Sequence, residues 1–395
     1  MEWNNMKAET IKRVGEILEE AIENGVTMGA SVGVWQHGEE LLYVERGLAD
    51  RENEKKIKRD TIFRLYSMSK PITAAAAMIL MERGLLDFAQ PVSDFLPGFA
   101  EVMVEKDGGV QKSETPVTVL NLLNMTSGLT YGDEKTTAGK MTLGYIEECI
   151  RRLHTPQAVT TAEFAEHLSM IPLDFVPDTS WRYGLSADVL GAVIEKASGM
   201  RFGEFMEKNI FEPLGMKDTG FRVPKEKQDR LAQAYELADG PMKLYTGDNL
   251  AVSNCLETPP AFESGGAGLV STMDDYAKFA QMLLGGGVLD GVRVMNQATA
   301  DYFTDGGLTP DQQKAYRAWV GLEGFTYSHL MRILKHPEMA AYLGSRGEYG
   351  WDGWLGCYFA NLPEKDATIL LMQQRRDSGT IPMTRKVRNV ILGDL

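Results

Sequence analysis

The stretch FRLYSMSK (63–70) runs directly into PITAAAAMILMERGLL (71–86), an alanine-rich apolar helix that opens on two serines, a lysine and a proline. Packing alone gives no reason for that polar entry. Ser67 and Lys70 are three residues apart, so on a helix they share a face and their side chains meet. That is the geometry a serine needs if a lysine is to take its proton. Of the sixteen serines in the chain, only Ser67 has a lysine three residues on. At a strand-to-helix junction, unpaired backbone N–H groups and the positive end of the helix dipole favour developing negative charge. Pro71 falls in the first turn, where a missing N–H costs nothing. Ala74 to Ala77 lack bulk and let the helix bury closely. A lysine buried there loses proton affinity through desolvation, as a general base must. The alternative is a plain helix cap beside a solvated lysine, which explains one of the two residues and not both.

Outward from this helix, the chain has the composition of a globular protein: 395 residues, 44% hydrophobic and 24% charged. Its net charge of -14, from 55 acidic and 41 basic side chains, argues against nucleic acid or an anionic membrane as partner. Cys149, Cys255 and Cys357 are sparse and form no C-x-x-C, which fits a reducing compartment and excludes a zinc cluster. The N-terminal segment is amphipathic, with no apolar signal-peptide region, and no stretch approaches the ~20 apolar residues that span a bilayer. The expectation is a cytoplasmic chain without metal or cofactor, of open oligomeric state.

Ile11, Val14, Ile17, Leu18, Ala21 and Ile22 predict a helix that Gly25 ends. Residues 30–50 predict a hairpin turning at His37-Gly38, and TIFRLYS (61–67) a third short strand. SADVLGAVIEKASG (186–199) predicts a helix with Ser186 as N-cap and Gly199 as its end, and a second follows Ser271 or Thr272. GCYFANL and TILLMQQ, joined by PEKDA, predict a C-terminal hairpin, with a last helix over 381–392. Residues 305–347 read as helix or loop, a candidate cover for a pocket. The β-rich ends must meet in one sheet, since isolated hairpins are unstable. The fold class is therefore α+β: an antiparallel β-sheet flanked by helices, with an inserted mainly helical lobe. A single domain over 1–395 is expected, with an α/β lobe of 1–88 plus 261–395 and a helical lobe of 89–260.

The chain has no G-x-S-x-G, H-E-x-x-H, Walker loop or strand-borne G-x-G-x-x-G, and its five histidines stand in unrelated contexts. Two further segments carry candidates. PDTSWRYGLSADVLG (177–191) places Tyr183 before a helix, where a phenol near a lysine works as base or acid; a core aromatic is the competing reading. GEYGWDGWLGCYFANL (347–362) interleaves glycines with Tyr349, Trp351 and Trp354, the pattern of a strand closely approached by something else or of a tight aromatic hairpin.

Together these segments resemble the serine β-lactamase and penicillin-binding protein superfamily, in its class C β-lactamase-like branch that includes family VIII esterases. SMSK is similar to the S-x-x-K motif; LLNMTSGLTYG (122–132) to the L-L-x-H-T-S-G-L segment, with Asn124-Met125 where a histidine is usual; WRYGLSADVLG to the tyrosine motif. IFEPLGMKDTGF (210–221) and GGAGLVSTMDDYAKFAQML (265–283) resemble two more stretches of the branch, in the same order. The resemblance implies Ser67 as acylated nucleophile, Lys70 as base or its stabiliser, and Tyr183 as proton shuttle to the leaving group. It implies an oxyanion hole from the N–H groups of Ser67 and Trp354, and substrate contacts from Trp351, Asp352, Gly353 and Leu185. Two departures stand out. Leu185 replaces the asparagine of Tyr-x-Asn, and Trp351-Asp352-Gly353 replaces Lys-Thr-Gly, which removes a cation for a substrate carboxylate. The second is similar to the W-G-G of the esterases, with Asp352 for the first glycine; an inward acid there repels anions, an outward one does not. The implied activity is hydrolysis of small carboxylic esters through an acyl-serine. A β-lactamase or D-peptide amidase, an acyltransferase, and a non-catalytic penicillin-binding-like module are the alternatives.

Overall fold

The computed structural model of the chain describes residues 6–106, 108–318 and 322–395. Eight antiparallel strands form the central sheet: β1 (Gly29–Gln36), β2 (Glu39–Asp50), β3 (Lys55–Lys56), β4 (Phe325–Ser328), β5 (Met331–Leu334), β6 (Tyr349–Asp352), β7 (Tyr358–Leu362) and β8 (Ala367–Gln373). Their order is β4-β5-β6-β7-β8-β1-β2-β3, so the chain's two ends meet where β8 pairs with β1. Alternation along β8 divides the core. Ile369 and Leu371 face α1 (Ala8–Glu23) and the C-terminal helix Pro382–Leu392, while Leu370 and Met372 face the main core of the molecule. The β1–β2 turn is His37-Gly38, both with positive φ, the twist a tight hairpin requires.

Several local expectations are revised. Ile11 is exposed, and α1 buries Val14, Ile17, Leu18 and Ala21. TIFRLYS contributes only Phe63–Arg64, paired with Val270–Ser271 outside the main sheet. Residues 305–347 hold the helix Pro310–Tyr316 and also the edge hairpin β4–β5; 319–321 lie outside the described residues. That hairpin turns at His329-Leu330, both at positive φ without a glycine. The left-handed turn is held from outside: Asn124 Oδ1 accepts the His329 N–H at 3.0 Å, and Leu123 O the Leu330 N–H at 2.7 Å. No local turn signal announces it.

The insertion between the sheet's halves is mainly helical, interrupted by the hairpins Met103–Lys112 and Ala234–Tyr245. Its central helix, Ser186–Ser198, packs on α2 (Ser69–Glu82), whose residues 69–80 are all buried. The four alanines allow that approach. Ser186 is not the cap: Leu185 holds that position without a side-chain bond, and the Ser186 hydroxyl pairs instead with Ser127 Oγ at 2.8 Å. Thr272 does cap its helix, accepting the Asp275 N–H. Among the described residues no helix is long and apolar enough to cross a membrane.

Candidate active site

Ser67 lies in the 3-10 turn Tyr66–Met68 that leads into α2. Tyr66 holds a positive φ of 45°, a conformation bulky residues rarely adopt, and its ring packs edge-on against Trp354 at 4.9 Å. Backbone strain of this kind persists only where surrounding contacts impose it. Here the Trp354 ring supplies one such contact.

One turn further, Lys70 is fully buried. Its Nζ donates to Ser67 Oγ at 3.2 Å, Tyr131 OH at 3.1 Å and Gly266 O at 2.8 Å. Burial pulls its pKa from 10.5 down to about 8, and the Asp188 carboxylate opposes that shift. Asp188, on the Ser186–Ser198 helix, is itself buried; burial raises its pKa, against the Lys70 charge and bonds from Ser264 Oγ (2.5 Å) and Gly266 N (3.1 Å). The GGAGL segment threads between the two helices, and only glycine fits there. A Cβ on Gly265 meets Ala187 O at 2.3 Å, and one on Gly266 meets Asp188 Oδ2 at 2.7 Å.

Two phenols close the site. Tyr183 and Tyr131 meet edge to face at 5.6 Å, and the Tyr131 hydroxyl accepts from Lys70 Nζ at 3.1 Å. The Lys70 ammonium sits 4.7 Å above the Tyr183 ring. Tyr183 OH also accepts the Trp351 Nε1–H at 2.9 Å. Burial pushes both phenols' pKa above the ordinary range, while the bonds from Ser67 and Trp351 work the other way on Tyr183.

Of the residues singled out in 347–362, Trp351 is buried on β6 and reaches the Tyr183 hydroxyl. Asp352 follows it on the opposite side of the strand, bonded to Thr380 Oγ1 and 3.8 Å from Arg332. Gly353 presses on the backbone preceding the serine: a Cβ there lies 2.2 Å from Leu65 O. The turn is fixed by Gly353 N–H to Cys357 O at 2.7 Å and Gly356 N–H to Gly353 O at 2.8 Å. Trp354 packs on Tyr66 and Tyr245, its indole N–H bonded to Asp377 at 2.6 Å. Leu185 is buried in the main core.

Tyr131, Asp188 and Gly266 were not singled out in the sequence. Tyr131 stood inside a quoted segment, LLNMTSGLTYG, but it is 61 residues from Lys70 and no spacing rule joins them. The histidines have partners of their own: His37 with Asp366, His154 with Asp248, His336 with Glu338, His167 on Tyr145 and His329 on Phe303 O. Among the described residues no group of three or more His, Cys, Asp or Glu is placed to hold a metal ion.

A serine at the head of a buried helix, a lysine one turn along and a tyrosine from the helical lobe thus come together beside an antiparallel sheet. The chain belongs to the beta-lactamase family, whose model matches residues 14–390. It is 31% identical over 370 residues to Protein Rv1367c of Mycobacterium tuberculosis, covering 90% of this chain and 88% of that one. It is 30% identical over 400 residues to Esterase EstB of Burkholderia gladioli, covering 96% and 94%. In fold it is similar to EstCE1, a hydrolase with promiscuous acyltransferase activity: TM-score 0.80, 24% identity, 97% of this chain and 98% of that chain covered.

Proposed function

We propose that the protein is a serine hydrolase that cleaves small, uncharged carboxylic esters through an acyl-Ser67 intermediate. The observation that carries this reading is the contact of Ser67 Oγ with Lys70 Nζ, 3.2 Å apart, beside the Tyr183 hydroxyl. As Ser67 Oγ bonds to the ester carbonyl carbon, its proton passes to the Lys70–Tyr183 pair, whose titrations are coupled. The carbonyl oxygen becomes an oxyanion held by the N–H groups of Ser67 and Trp354. When the carbon–oxygen bond to the leaving alcohol breaks, Tyr183 returns the proton to that alcohol. Water then repeats the sequence on the acyl-serine and releases the acid.

An ester rather than a β-lactam or peptide is favoured by the charges around the site. Lys70 directs its three donors inward, and Arg332 is buried beside Asp352. Neither is free to pair with a substrate carboxylate. Esterase EstB, similar over most of both chains, points the same way. Hydrolysis of p-nitrophenyl butyrate by the wild type, with loss in Ser67→Ala and Lys70→Ala, tests the assignment; wild-type rates in both variants refute it. Nitrocefin turnover exceeding the ester rate would transfer the reading to β-lactam hydrolysis.

A further inference from the structure

Trp351 stands at the position where the family pattern has a lysine, yet its side chain does not point at an open subsite. Its Nε1–H is directed at the Tyr183 oxygen, 2.9 Å away. The ring is clamped to keep that aim: Tyr327 meets it edge-on at 5.1 Å, and the Tyr183 ring lies at 5.5 Å. The Arg332 guanidinium lies 5.7 Å from the indole centroid. A cation over an indole draws electron density from the ring and makes its N–H a stronger donor.

Building on the acyl-serine reading, we propose that Trp351, backed by Arg332, is a positioning residue that holds the Tyr183 oxygen toward Ser67 and stabilises it as a phenolate. A neutral donor thereby takes over what a lysine would do there, without placing a positive charge in the substrate's path. The two phenols are told apart by it. Tyr131 accepts from the Lys70 ammonium, whereas Tyr183 accepts from the indole N–H. The titratable and charged groups around Tyr183 are Lys70 and Ser67 from the α2 segment, Tyr131, Asp188 from the adjoining helix and Tyr327 from β4, with Asp352 acting from the far side of β6. Their charges favour or oppose the phenolate through space, whereas the Trp351 indole N–H bonds to its oxygen directly.

The test is the pH profile of kcat/KM for p-nitrophenyl butyrate in Trp351→Phe, which keeps an aromatic ring and removes the N–H. The ascending limb is expected to move to higher pH by about one unit, an about tenfold loss at neutral pH that is recovered in alkali. A uniform drop with the limb in place overturns the proposal and leaves the indole as packing only. Should Trp351→Phe not fold, fluorine NMR of the wild-type chain labelled with fluorotryptophan decides. One of the six indole resonances must titrate along the kinetic limb and must cease to do so in Tyr183→Phe; if none does, the proposal fails. Retained activity in Ser67→Ala would instead remove the acyl-serine reading itself, so the two failures are distinct.

Discussion

Replacing Lys70 by Met separates what this residue does for catalysis from what it does to stability. In the folded protein the ammonium is fully buried and its pKa falls from 10.5 to about 8. The unfolded chain therefore binds more protons between those two values, and wild-type stability rises with pH across that window. At ~1.36 kcal/mol per unit, the protein carries a penalty of about 3 kcal/mol at pH 7 that disappears above pH ~10.5. Met fills much the same space and carries no titrating group. Urea unfolding of both proteins between pH 7 and 10.5 should show the difference between them changing by about 3 kcal/mol, with wild type gaining as pH rises. Comparing the two across pH cancels the constant cost of the hydrogen bonds that Met loses to Gly266 O, Tyr131 and Ser67. Ester hydrolysis should fall by at least about a hundredfold in the same variant. A stability difference that stays flat across this range would refute the argument, because it would mean that Lys70 keeps its ordinary proton affinity.

Three other substitutions probe the walls of the site. Gly353→Ala forces a Cβ to within 2.2 Å of Leu65 O, so the turn must withdraw from the nucleophile. The expected result is a lower kcat for p-nitrophenyl butyrate by about a hundredfold or more, the scale of losing one oxyanion donor, with a smaller change in KM. Tyr131→Phe removes one of three acceptors of the Lys70 ammonium and keeps the ring, so its rate loss should stay near tenfold, against about a thousandfold or more for Tyr183→Phe. Equal losses in steady-state kinetics would make the two phenols equivalent.

What could be read from the chain follows short-range rules. Ser67 and Lys70 are one helical turn apart, so spacing alone placed their side chains together. His37-Gly38, Gly199 and a cap at Ser271 or Thr272 announce themselves through backbone preferences that hold in any context. The apolar run of TILLMQQ after the PEKDA turn indicated the second strand of a hairpin, and it proved to be the one that joins the two ends of the chain.

The β4–β5 hairpin escaped notice because its turn is stabilised by Asn124 and Leu123, two hundred residues earlier, and not by its own residues. Ser186 looked like a cap until a buried serine from another segment offered a better partner. Tyr131, Asp188 and Gly266 meet Lys70 or its surroundings only when two helices and a glycine segment pack together. In the same way, strand alternation and the pull of Thr380 and Arg332 settle which way Asp352 points. Helix spacing, turns and caps depend on neighbours a few bonds away, so the sequence by itself determined them along with the serine–lysine pair. The depressed proton affinity of that lysine, the second phenol and the indole bond to Tyr183 depend on burial and on partners far along the chain, and only the tertiary structure decided them.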